Sequence, residues 1–402
     1  MKILIITQFF PPDITAAAFR LGDTASLLAT AGHEVKVLAG DPHKGSAEGV
    51  KLSELVDPSV DIIRCHIKAL DKKGMRAYVG HYLSFVWSAI SGGMKLKKAG
   101  WQPDVILCSS PPLFVGLAGK YLKFRFGKPL VFEVRDIWPD SAVAAGQLSE
   151  TGKAYKVGRM MEKNFYKSAT HICCVAKPMA EYIRGYCETP VEVVYNGIQE
   201  KLVPASSPPP ENEGGTRTLM YAGNFGHVQN MDLIVKGFIT AHQAGKINNW
   251  KLRLIGAGAK LDELNEIISQ NDASEIVSIE PPVPRHVVFE EMQSADALYL
   301  SLQKSKVLEH TIPSKLFDYL AMSRPIVAAL TGEGNEVLKE TGANLCLDPG
   351  DEEGLQTALV ELVQNYDTLS ANAHKNRELV LARFTRERAV QTLMSVFEKV
   401  VG

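Results

Sequence analysis

Short apolar runs, each followed by a polar or glycine-containing loop and then by a segment of helical periodicity, recur along this chain. The first run, within residues 1–7 (KILIIT), is too short for a helix and does not alternate, as expected of a parallel strand covered on both faces. A helical segment at about residues 17–31 follows, and HEVKVLAG supplies the next strand. Strand, helix and strand in this order form a right-handed crossover unit, so the pattern predicts an α/β fold.

The same alternation continues through the first half of the chain. Residues 104–109 (DVILCS) and 129–135 (PLVFEVR) predict two further buried strands, with a helix at about residues 113–126 between them. Residues 78–98 have their apolar positions at helical spacing, which fits a core helix and also an interfacial one. Ligands in such folds sit beyond the carboxyl ends of the strands, so the loop at residues 8–16 becomes a candidate site.

A linker-like stretch separates two series of this kind. Residues 199–217 are rich in Pro, Ser, Gly and Glu, and the strand and helix alternation begins again after them. Because 402 residues exceed one average core, we predict an N-terminal domain over residues 1–198 and a C-terminal domain over residues 218–383. Residues 384–402 predict a closing amphipathic helix that packs back onto the N-terminal domain, with an apolar stripe of Ala389, Leu393, Val396 and Phe397.

Charge is distributed unevenly between the two halves. Over residues 1–198, 25 Lys and Arg against 18 Asp and Glu give +7, so the remaining 19 and 27 give −8. Residues 68–128 hold most of the basic excess, with 11 basic residues against Asp71 and Asp104. Such a patch attracts an anionic surface. No nucleic-acid fold motif accompanies it, so contact with an anionic membrane is favoured over nucleic acid, and a solvated basic face remains open.

Composition predicts a chain that works in a reducing compartment without a metal. The six cysteines have no metal-ligand spacing, no run resembles a signal peptide, and no run is long and apolar enough to span a membrane. We therefore expect a cytoplasmic protein with no cofactor.

The segment EHTIPSKLFDYLAMSRPIVAAL, at residues 309–330, is the first candidate for chemistry. Thr311, Pro313 and Ser314 are predicted to open a helix, whose free backbone N–H groups attract anions. Lys315 in the first turn opposes the helix dipole, which makes sense if a phosphate lies beside it. Asp318, one turn later, suits sugar or ribose hydroxyls. The alternative is an ordinary capped helix with a surface ion pair.

Two further constellations follow predicted strands. Arg135, Asp136 and Trp138 lie in EVRDIWPDS at the end of a buried strand, where paired charges indicate a site and the indole could form a wall for a sugar or lipid. The alternative is a structural ion pair beside a packed tryptophan. In the second half, glycine-containing turns after two strands allow the backbone to approach a ligand closely: Asn224, Phe225, Gly226 and Gln229 in the first, Gly256 and Gly258 in the second.

Taken together, these segments resemble the family-4, group 1 glycosyltransferases of GT-B fold, which have two Rossmann-like domains facing a central cleft. FFPPDITAAAFRL, VYNGI, LIGAGAKLDEL and PSKLFDYLAMSRPIV carry the resemblance over nearly the whole chain. EVRDIWPDS, YAGNFGHVQNM and IPSKLFDYLA are similar to the subgroup that builds bacterial O-antigen, capsule and colanic acid, including N-acetylfucosamine-type transferases.

The chain departs from the family pattern at several charged positions. The family's two glutamates would align with His310 and Asp318, and its diphosphate-binding Arg and Lys with Asn224 and Gln229. Lys315, with Arg253, is the candidate replacement for the missing positive charge.

The resemblance implies a retaining transfer of a sugar, expected to be an N-acetylated amino sugar, from UDP in preference to GDP to a lipid-linked or saccharide acceptor, without a metal. Our hypothesis for this reaction assigns three catalytic residues, Asp136, Arg135 and Lys315. Donor contacts are expected from Asn224, Phe225, Gly226, Gln229, Arg253, Gly256, Gly258, Val283, Pro313, Ser314, Lys315 and Asp318. Acceptor contacts are expected from Asp13, Thr15, Arg20 and Trp138. The enzyme would act at the inner face of the cytoplasmic membrane and bind no nucleic acid.

Two other functions fit the same architecture. A UDP-sugar 2-epimerase would turn over the nucleotide sugar with no acceptor present. A nucleotide-sugar-binding protein without catalysis would account for the missing glutamate and basic residues.

Overall fold

Two α/β units make up the protein in the computed structural model, which describes residues 1–43, 51–70, 74–205 and 215–402. Unit 1 comprises Met1–Asn196 together with Arg386–Gly402, and unit 2 comprises Gly197–Thr385. Both are built on wholly parallel sheets, because their apolar runs are short and are buried on both faces. The predicted GT-B fold, with two Rossmann-like domains, is confirmed.

Unit 1 has a seven-stranded sheet with the order β3-β2-β1-β4-β5-β6-β7. Its strands are β1 (Lys2–Thr7), β2 (Glu34–Gly40), β3 (Asp61–Cys65), β4 (Val105–Ser110), β5 (Leu130–Val134), β6 (His171–Cys174) and β7 (Val191–Val193). Strand order reverses between β1 and β4, so the chain leaves these two strands in opposite directions. The crevice created by such a reversal is where ligands bind in open α/β sheets.

Helices flank this sheet in the positions that the apolar periodicity predicts. They are α1 (Ala16–Thr30), α2 (Leu52–Leu55), α3 (Met75–Lys98), α4 (Val115–Phe126), α5 (Asp140–Ala144), α6 (Lys153–Ser168) and α7 (Lys177–Arg184). On α3, Phe85, Val86 and Ala89 are buried, whereas Trp87 is 69% exposed. One face of this helix therefore belongs to the core, and the opposite face presents an aromatic ring to solvent.

Unit 2 has a six-stranded sheet with the order β10-β9-β8-β11-β12-β13. Its strands are β8 (Arg217–Asn224), β9 (Trp250–Ala257), β10 (Val277–Glu280), β11 (Ala297–Ser301), β12 (Ile326–Ala329) and β13 (Leu345–Leu347). Its helices are α8 (Met231–Gln243), α9 (Leu261–Gln270), α10 (Arg285–Ser294), α11 (Ser314–Ala321), α12 (Glu333–Lys339), α13 (Glu352–Gln364), α14 (Tyr366–Asn372) and α15 (His374–Arg383). The order reverses between β8 and β11, which places the loops after these strands at the second crevice.

The closing helix, α16 (Arg386–Val401), belongs to unit 1, although the whole of unit 2 precedes it in the chain. Its predicted apolar stripe is buried in the same core as Leu21, Ala25 and Leu28 of α1. The Arg386 guanidinium adds an ion pair, with Nε 3.4 Å from Asp23 Oδ2.

The predicted linker and the predicted basic patch each lie partly outside the described residues. Residues 206–214 of the linker are outside them, as are Asp71, Lys72 and Lys73 of the patch. The described residues of the linker belong to unit 2, where Arg377 Nε donates to the Pro204 carbonyl over 2.9 Å. None of the described helices combines the length and apolar character that crossing a membrane requires.

Candidate functional site

The amino end of α11 is where the sequence predicts an anion site, and its capping differs from the prediction. Pro313, in extended conformation, is the residue before the first turn, and no side chain caps the helix. Thr311 Oγ1 instead donates to the Leu308 carbonyl over 3.1 Å. The prediction that a hydroxyl caps this helix was therefore wrong, because Ser314 is already the first helical residue. Backbone N–H groups of the first turn are left without a capping side chain.

Lys315 is folded inward against the end of β8. Its Nζ lies 5.4 Å from the centroid of the Tyr221 ring, and a Cβ added at Gly223 would lie 1.9 Å from Lys315 Cε. Glycine at position 223, with φ of +150°, is what allows the ammonium stem to cross this strand end. Burial lowers the pKa of Lys315, and the Asp318 carboxylate opposes this shift. A lysine held in this way gains from a bound anion more than an exposed lysine does.

A cavity of about 230 Å³ opens beside Lys315. Its walls come from the ends of β8 and β11 and from the amino end of α11, and its lining includes Tyr221, Gln229, Ser301, Pro313, Ser314 and Lys315. Four residues predicted to contact the donor are thus brought together: Gln229, Pro313, Ser314 and Lys315.

The turn after β8 is occupied by internal hydrogen bonds. The Phe225 side chain is fully buried in the core of unit 2. Its backbone N–H donates to the Ala257 carbonyl over 2.8 Å, and its carbonyl accepts from the backbone N–H of Lys260 over 2.9 Å. The N–H of Gly226 donates to Gln229 Oε1 over 3.1 Å. Phe225 was therefore wrongly predicted to contact the donor, and the Gly226 N–H is already used. The exposed Asn224 amide, which donates to Gln229 Oε1 over 3.5 Å, is the group of this turn that a ligand can reach.

The turn after β9 has a structural requirement for glycine. A Cβ at Gly256 would lie 1.8 Å from the Gly223 carbonyl oxygen, and one at Gly258 would lie 2.5 Å from the Phe225 backbone. The two strand ends therefore pack backbone to backbone, which explains the GxG pattern without a bound phosphate.

Arg253 does not supply the missing positive charge. Its Nε lies 2.5 Å from Glu280 Oε1 and its Nη1 lies 2.5 Å from Glu291 Oε2, and the hydrogen bond with Glu280 raises its pKa. The predicted role in binding diphosphate was wrong, because both carboxylates already neutralise this guanidinium. Val283 lies in the loop before α10, half-buried, and Asp318 Oδ1 lies 3.9 Å from Arg285 Nη2 in the same region. Their donor roles stay predictions.

In unit 1, an ionic cluster fills the carboxyl ends of β4 and β5. Arg20 uses all five N–H groups: Nε and Nη2 donate to Glu133 Oε1, and the others donate to Val194 O, Tyr195 O and Asn196 Oδ1. Arg20 was predicted to contact the acceptor, but it is buried and has no donor left for a ligand. Its partner Glu133 lies 113 residues away in the chain. Burial alone would raise the pKa of Glu133, but Arg20 and Arg135 hold it below the usual value.

Arg135 and Asp136 follow β5 directly, as predicted. Arg135 Nε donates to Ser109 Oγ over 3.0 Å, and burial lowers its pKa to about 10. Burial raises the pKa of Asp136 to about 6, although hydrogen bonds from Ser141 and the Ile137 N–H oppose the shift. A carboxyl group poised near neutral pH in a strand-end crevice is typical of functional sites.

The other predicted acceptor residues shape the loop and its walls. Asp13 is buried, and its Oδ1 accepts the His43 N–H over 2.8 Å. The Thr15 hydroxyl accepts the Ala18 N–H over 3.1 Å and so caps α1. Trp138 is half-buried, and a Cβ at Gly158 would lie 2.4 Å from its ring. Asp13 and Thr15 therefore have structural partners, while Trp138 keeps an accessible part.

Apart from Trp138, sequence reasoning missed a chain of rings at this edge of the sheet. Successive ring centroids lie 5.3, 5.4, 5.2, 5.4 and 6.3 Å apart, and the members of this ring belt are Phe9, His43, His81, Tyr82, Phe114 and Trp138. Phe9, His43, Phe114 and Trp138 each follow a strand by a few residues. Their position after strand ends was a signal that could have identified them.

Two backbone carbonyls set the tautomers of the two histidines in the ring belt. His43 Nδ1 lies 2.8 Å from the Asp41 carbonyl and His81 Nδ1 lies 2.7 Å from the Lys68 carbonyl. Since carbonyl oxygens only accept, each Nδ1 carries a hydrogen, and each Nε2 of a neutral ring is then an acceptor. Gln8 Nε2, at 3.4 and 3.1 Å from these Nε2 atoms, donates to both.

Comparison with known proteins follows the division into two units. Residues 15–197 match the model of the glycosyl transferase 4-like domain, and residues 216–365 match that of the glycosyl transferases group 1. The chain is 23% identical over 321 residues to the probable glycosyltransferase WbjE of Pseudomonas aeruginosa, covering 77% of this chain and 78% of WbjE. It is 21% identical to the putative colanic acid biosynthesis glycosyl transferase WcaI of Escherichia coli K12, covering 96% and 99%.

The fold of the whole chain is similar to the folds of solved protein structures. Anabaena HepE in complex with UDP-glucose superposes with a TM-score of 0.70 at 14% identity, covering 99% of this chain and 100% of HepE.

Among the residues that the structure describes, no group of three His, Cys, Asp or Glu side chains is arranged to hold a metal ion.

Proposed function

The chain belongs to the group 1 glycosyl transferases, and from this premise we propose that it is a retaining transferase in bacterial surface polysaccharide synthesis. It would move a sugar, an N-acetylated amino sugar by resemblance to the subgroup, from UDP to a lipid-linked saccharide. The observation that carries the proposal is the inward-folded Lys315 beside the cavity at the amino end of α11. A departing diphosphate placed there would meet an ammonium group and free helix N–H groups together.

This arrangement supports our proposal that the transfer needs no metal. The charge that develops on the leaving diphosphate would be stabilised by Lys315, with Ser314 and the Asn224 amide as neutral donors beside it. The sugar hydroxyls and the ribose would find acceptors in Asp318 and Gln229. Arg135 and Asp136 of unit 1 would contact the acceptor. The UDP-glucose complex of HepE supports a nucleotide-sugar donor, and the similarity to WcaI, a putative colanic acid biosynthesis glycosyl transferase, supports a polysaccharide product.

A panel of nucleotide sugars tests this proposal. UDP-sugars are expected to raise the melting temperature more than GDP-sugars, because a ligand that binds only the folded state stabilises it. Donors that bind are then incubated with and without a lipid-linked saccharide. Transfer that requires the acceptor and retains the anomeric configuration supports the proposal. Epimerisation of the donor alone would assign a 2-epimerase, and neither hydrolysis nor transfer with any bound donor would assign a binding protein.

We further propose that the outer faces of α3 and α4 contact an anionic membrane at its cytoplasmic side. Trp87 is 69% exposed on α3, and Tyr121 and Phe124 are 42% and 81% exposed on α4. The two helices pack together, since a Cβ at Gly93 would lie 2.6 Å from Leu122. Exposed basic residues accompany these rings: Lys95, Lys98, Lys120 and Arg125. Amphipathic rings with lysine and arginine beside them suit the headgroup layer of anionic lipids.

Liposome flotation measures this contact. The wild type is expected to float with anionic vesicles at low salt, and Trp87→Ser with Phe124→Ser should reduce the bound fraction at least about fivefold. Val401→Ser removes an exposed apolar residue from α16 and serves as the control. Equal flotation with neutral and anionic lipid at low and high salt would contradict the role of the basic residues.

A further inference from the structure

The ionic cluster in unit 1 contains a buried donor atom that has no partner among the described residues. The Arg135 side chain is 10% exposed, and its Nη2 is buried without a hydrogen-bond partner in the described part of the chain. Leaving a buried donor of a charged group unsatisfied costs more than the same omission at a neutral group. An atom that is present in the working complex and can accept from Nη2 would remove this cost.

The charge of the cluster indicates which kind of ligand atom suits Arg135 Nη2. Arg20 and Arg135 share one carboxylate, Glu133, so these three side chains together carry +1. The Asp136 carboxylate also attracts Arg135 electrostatically, but within the described residues it makes no hydrogen bond or ion pair with the guanidinium. Glu133 Oε1 is taken by Arg20, while Oε2 accepts from Ser109 Oγ over 2.6 Å and lies 3.5 Å from Arg135 Nε. Within the described residues, no second carboxylate comes within 4.0 Å of the Arg135 guanidinium. An anionic oxygen therefore suits Arg135 Nη2 better than a neutral one.

We propose that Arg135 binds a phosphoryl oxygen of the acceptor substrate, and that Ser109 and Glu133 are the residues that position it. The inference rests on the proposed function, because a lipid-linked saccharide carries a diphosphate between lipid and sugar. Guanidinium groups match phosphate oxygens in shape and charge. The donor diphosphate would then be held by Lys315 in unit 2 and the acceptor phosphate by Arg135 in unit 1.

Ser109 has a specific part in this arrangement. Its hydroxyl hydrogen points to Glu133, so a lone pair of the oxygen faces Arg135 Nε. This hydrogen bond fixes the rotation of the guanidinium plane and therefore the direction of Nη2. Ser109→Ala keeps the charge of Arg135 and removes its orientation, whereas Ser109→Thr keeps the hydroxyl.

Direct binding tests the inference with the full chain and saturating UDP, which occupies unit 2. The probes are geranyl diphosphate, geraniol and inorganic pyrophosphate, measured by calorimetry. We expect geranyl diphosphate to bind, geraniol to bind at least about tenfold more weakly, and Arg135→Gln to abolish this difference. Ser109→Ala should weaken diphosphate binding about threefold to tenfold and Ser109→Thr should restore it. Ser110→Ala, at the next position of β4, is the matched control.

Further measurements separate the possible outcomes. Guanidinium ion added to Arg135→Ala should recover part of the diphosphate binding, which a merely structural role would not produce. Pyrophosphate binding as tight as geranyl diphosphate would assign the site to a free diphosphate and overturn the acceptor role. Unchanged diphosphate affinity in folded Arg135→Gln would overturn the site itself. Donor turnover, measured in the same preparations, tests the proposed function separately, since its absence in the wild type would contradict that function even where diphosphate binds through Arg135.

Discussion

Replacing Lys315 with methionine is expected to lower turnover by at least about a hundredfold, because one preorganised cationic donor at the departing diphosphate is removed. The ammonium lies over the Tyr221 ring and across Gly223, so it is directed by the fold and not by solvent. Lys315→Arg should also lose most activity, since the wider planar group does not fit across the end of β8. Steady-state kinetics with the donor that binds in the nucleotide-sugar panel measures both effects.

Stability provides the control for this variant. Burial lowers the pKa of Lys315, so below that pKa the charged ammonium destabilises the unliganded fold. This destabilisation decreases as pH rises above the folded-state pKa and is gone above the pKa of the same lysine in the unfolded chain. Lys315→Met should therefore melt no lower than the wild type at pH 7. Lys251→Ala, an exposed lysine on β9, should leave turnover unchanged. Turnover near the wild-type value in Lys315→Met would remove the basis of the proposed function.

Asp136→Asn is expected to lower kcat/KM by roughly a hundredfold above pH 7, if the carboxylate accepts the hydrogen bond of the attacking hydroxyl. Because burial raises the pKa of Asp136 to about 6, the wild-type rate should fall as pH drops below 6. The variant should lack this acid limb. A pH profile of kcat/KM between 5 and 8.5 measures both features, and Glu150→Gln, an exposed carboxylate nearby in sequence, is the control.

The sign of the stability effect gives an independent check on Asp136. Folding raises the pKa of this carboxyl group, so the folded state binds the proton more tightly than the unfolded chain does. The bound proton therefore stabilises the fold at low pH, and this stabilisation decreases as pH rises towards 6. The melting temperature of Asp136→Asn relative to the wild type should therefore increase between pH 4 and pH 7. A difference that does not change with pH would show that Asp136 is not the group that titrates near 6.

Local sequence was sufficient to identify candidate site residues where a charged side chain is unfavourable in its predicted helix or strand. Lys315 could be identified because a cation in the first turn of a helix is electrostatically unfavourable. Arg135 and Asp136 could be identified because paired charges at the carboxyl end of a buried strand indicate a ligand site. The strands themselves were predictable, since burial on both faces removes the alternation of apolar and polar residues. These signals come from the residue and its immediate neighbours in the chain.

Sequence reasoning failed where a distant partner decides the role. Arg20 and Arg253 look equally available in the chain, but Glu133, Glu280 and Glu291 reach them only in the folded sheets. The ring belt was missed for the same reason, because its members come from four loops and one helix. Phe225 was mistaken for a ligand contact because its neighbours Asn224 and Gly226 are typical of turns, whereas its own side chain is core.

The interruption of unit 1 by unit 2 has a consequence for biosynthesis. The surface of α1 that holds Leu21, Ala25 and Leu28 is covered by α16, which the ribosome synthesises only after the last residue of unit 2. Unit 2 is contiguous and can therefore mature while the earlier half of the nascent chain still exposes this apolar surface. A ribosome-associated chaperone that shields apolar segments during translation would stay bound longest at α1.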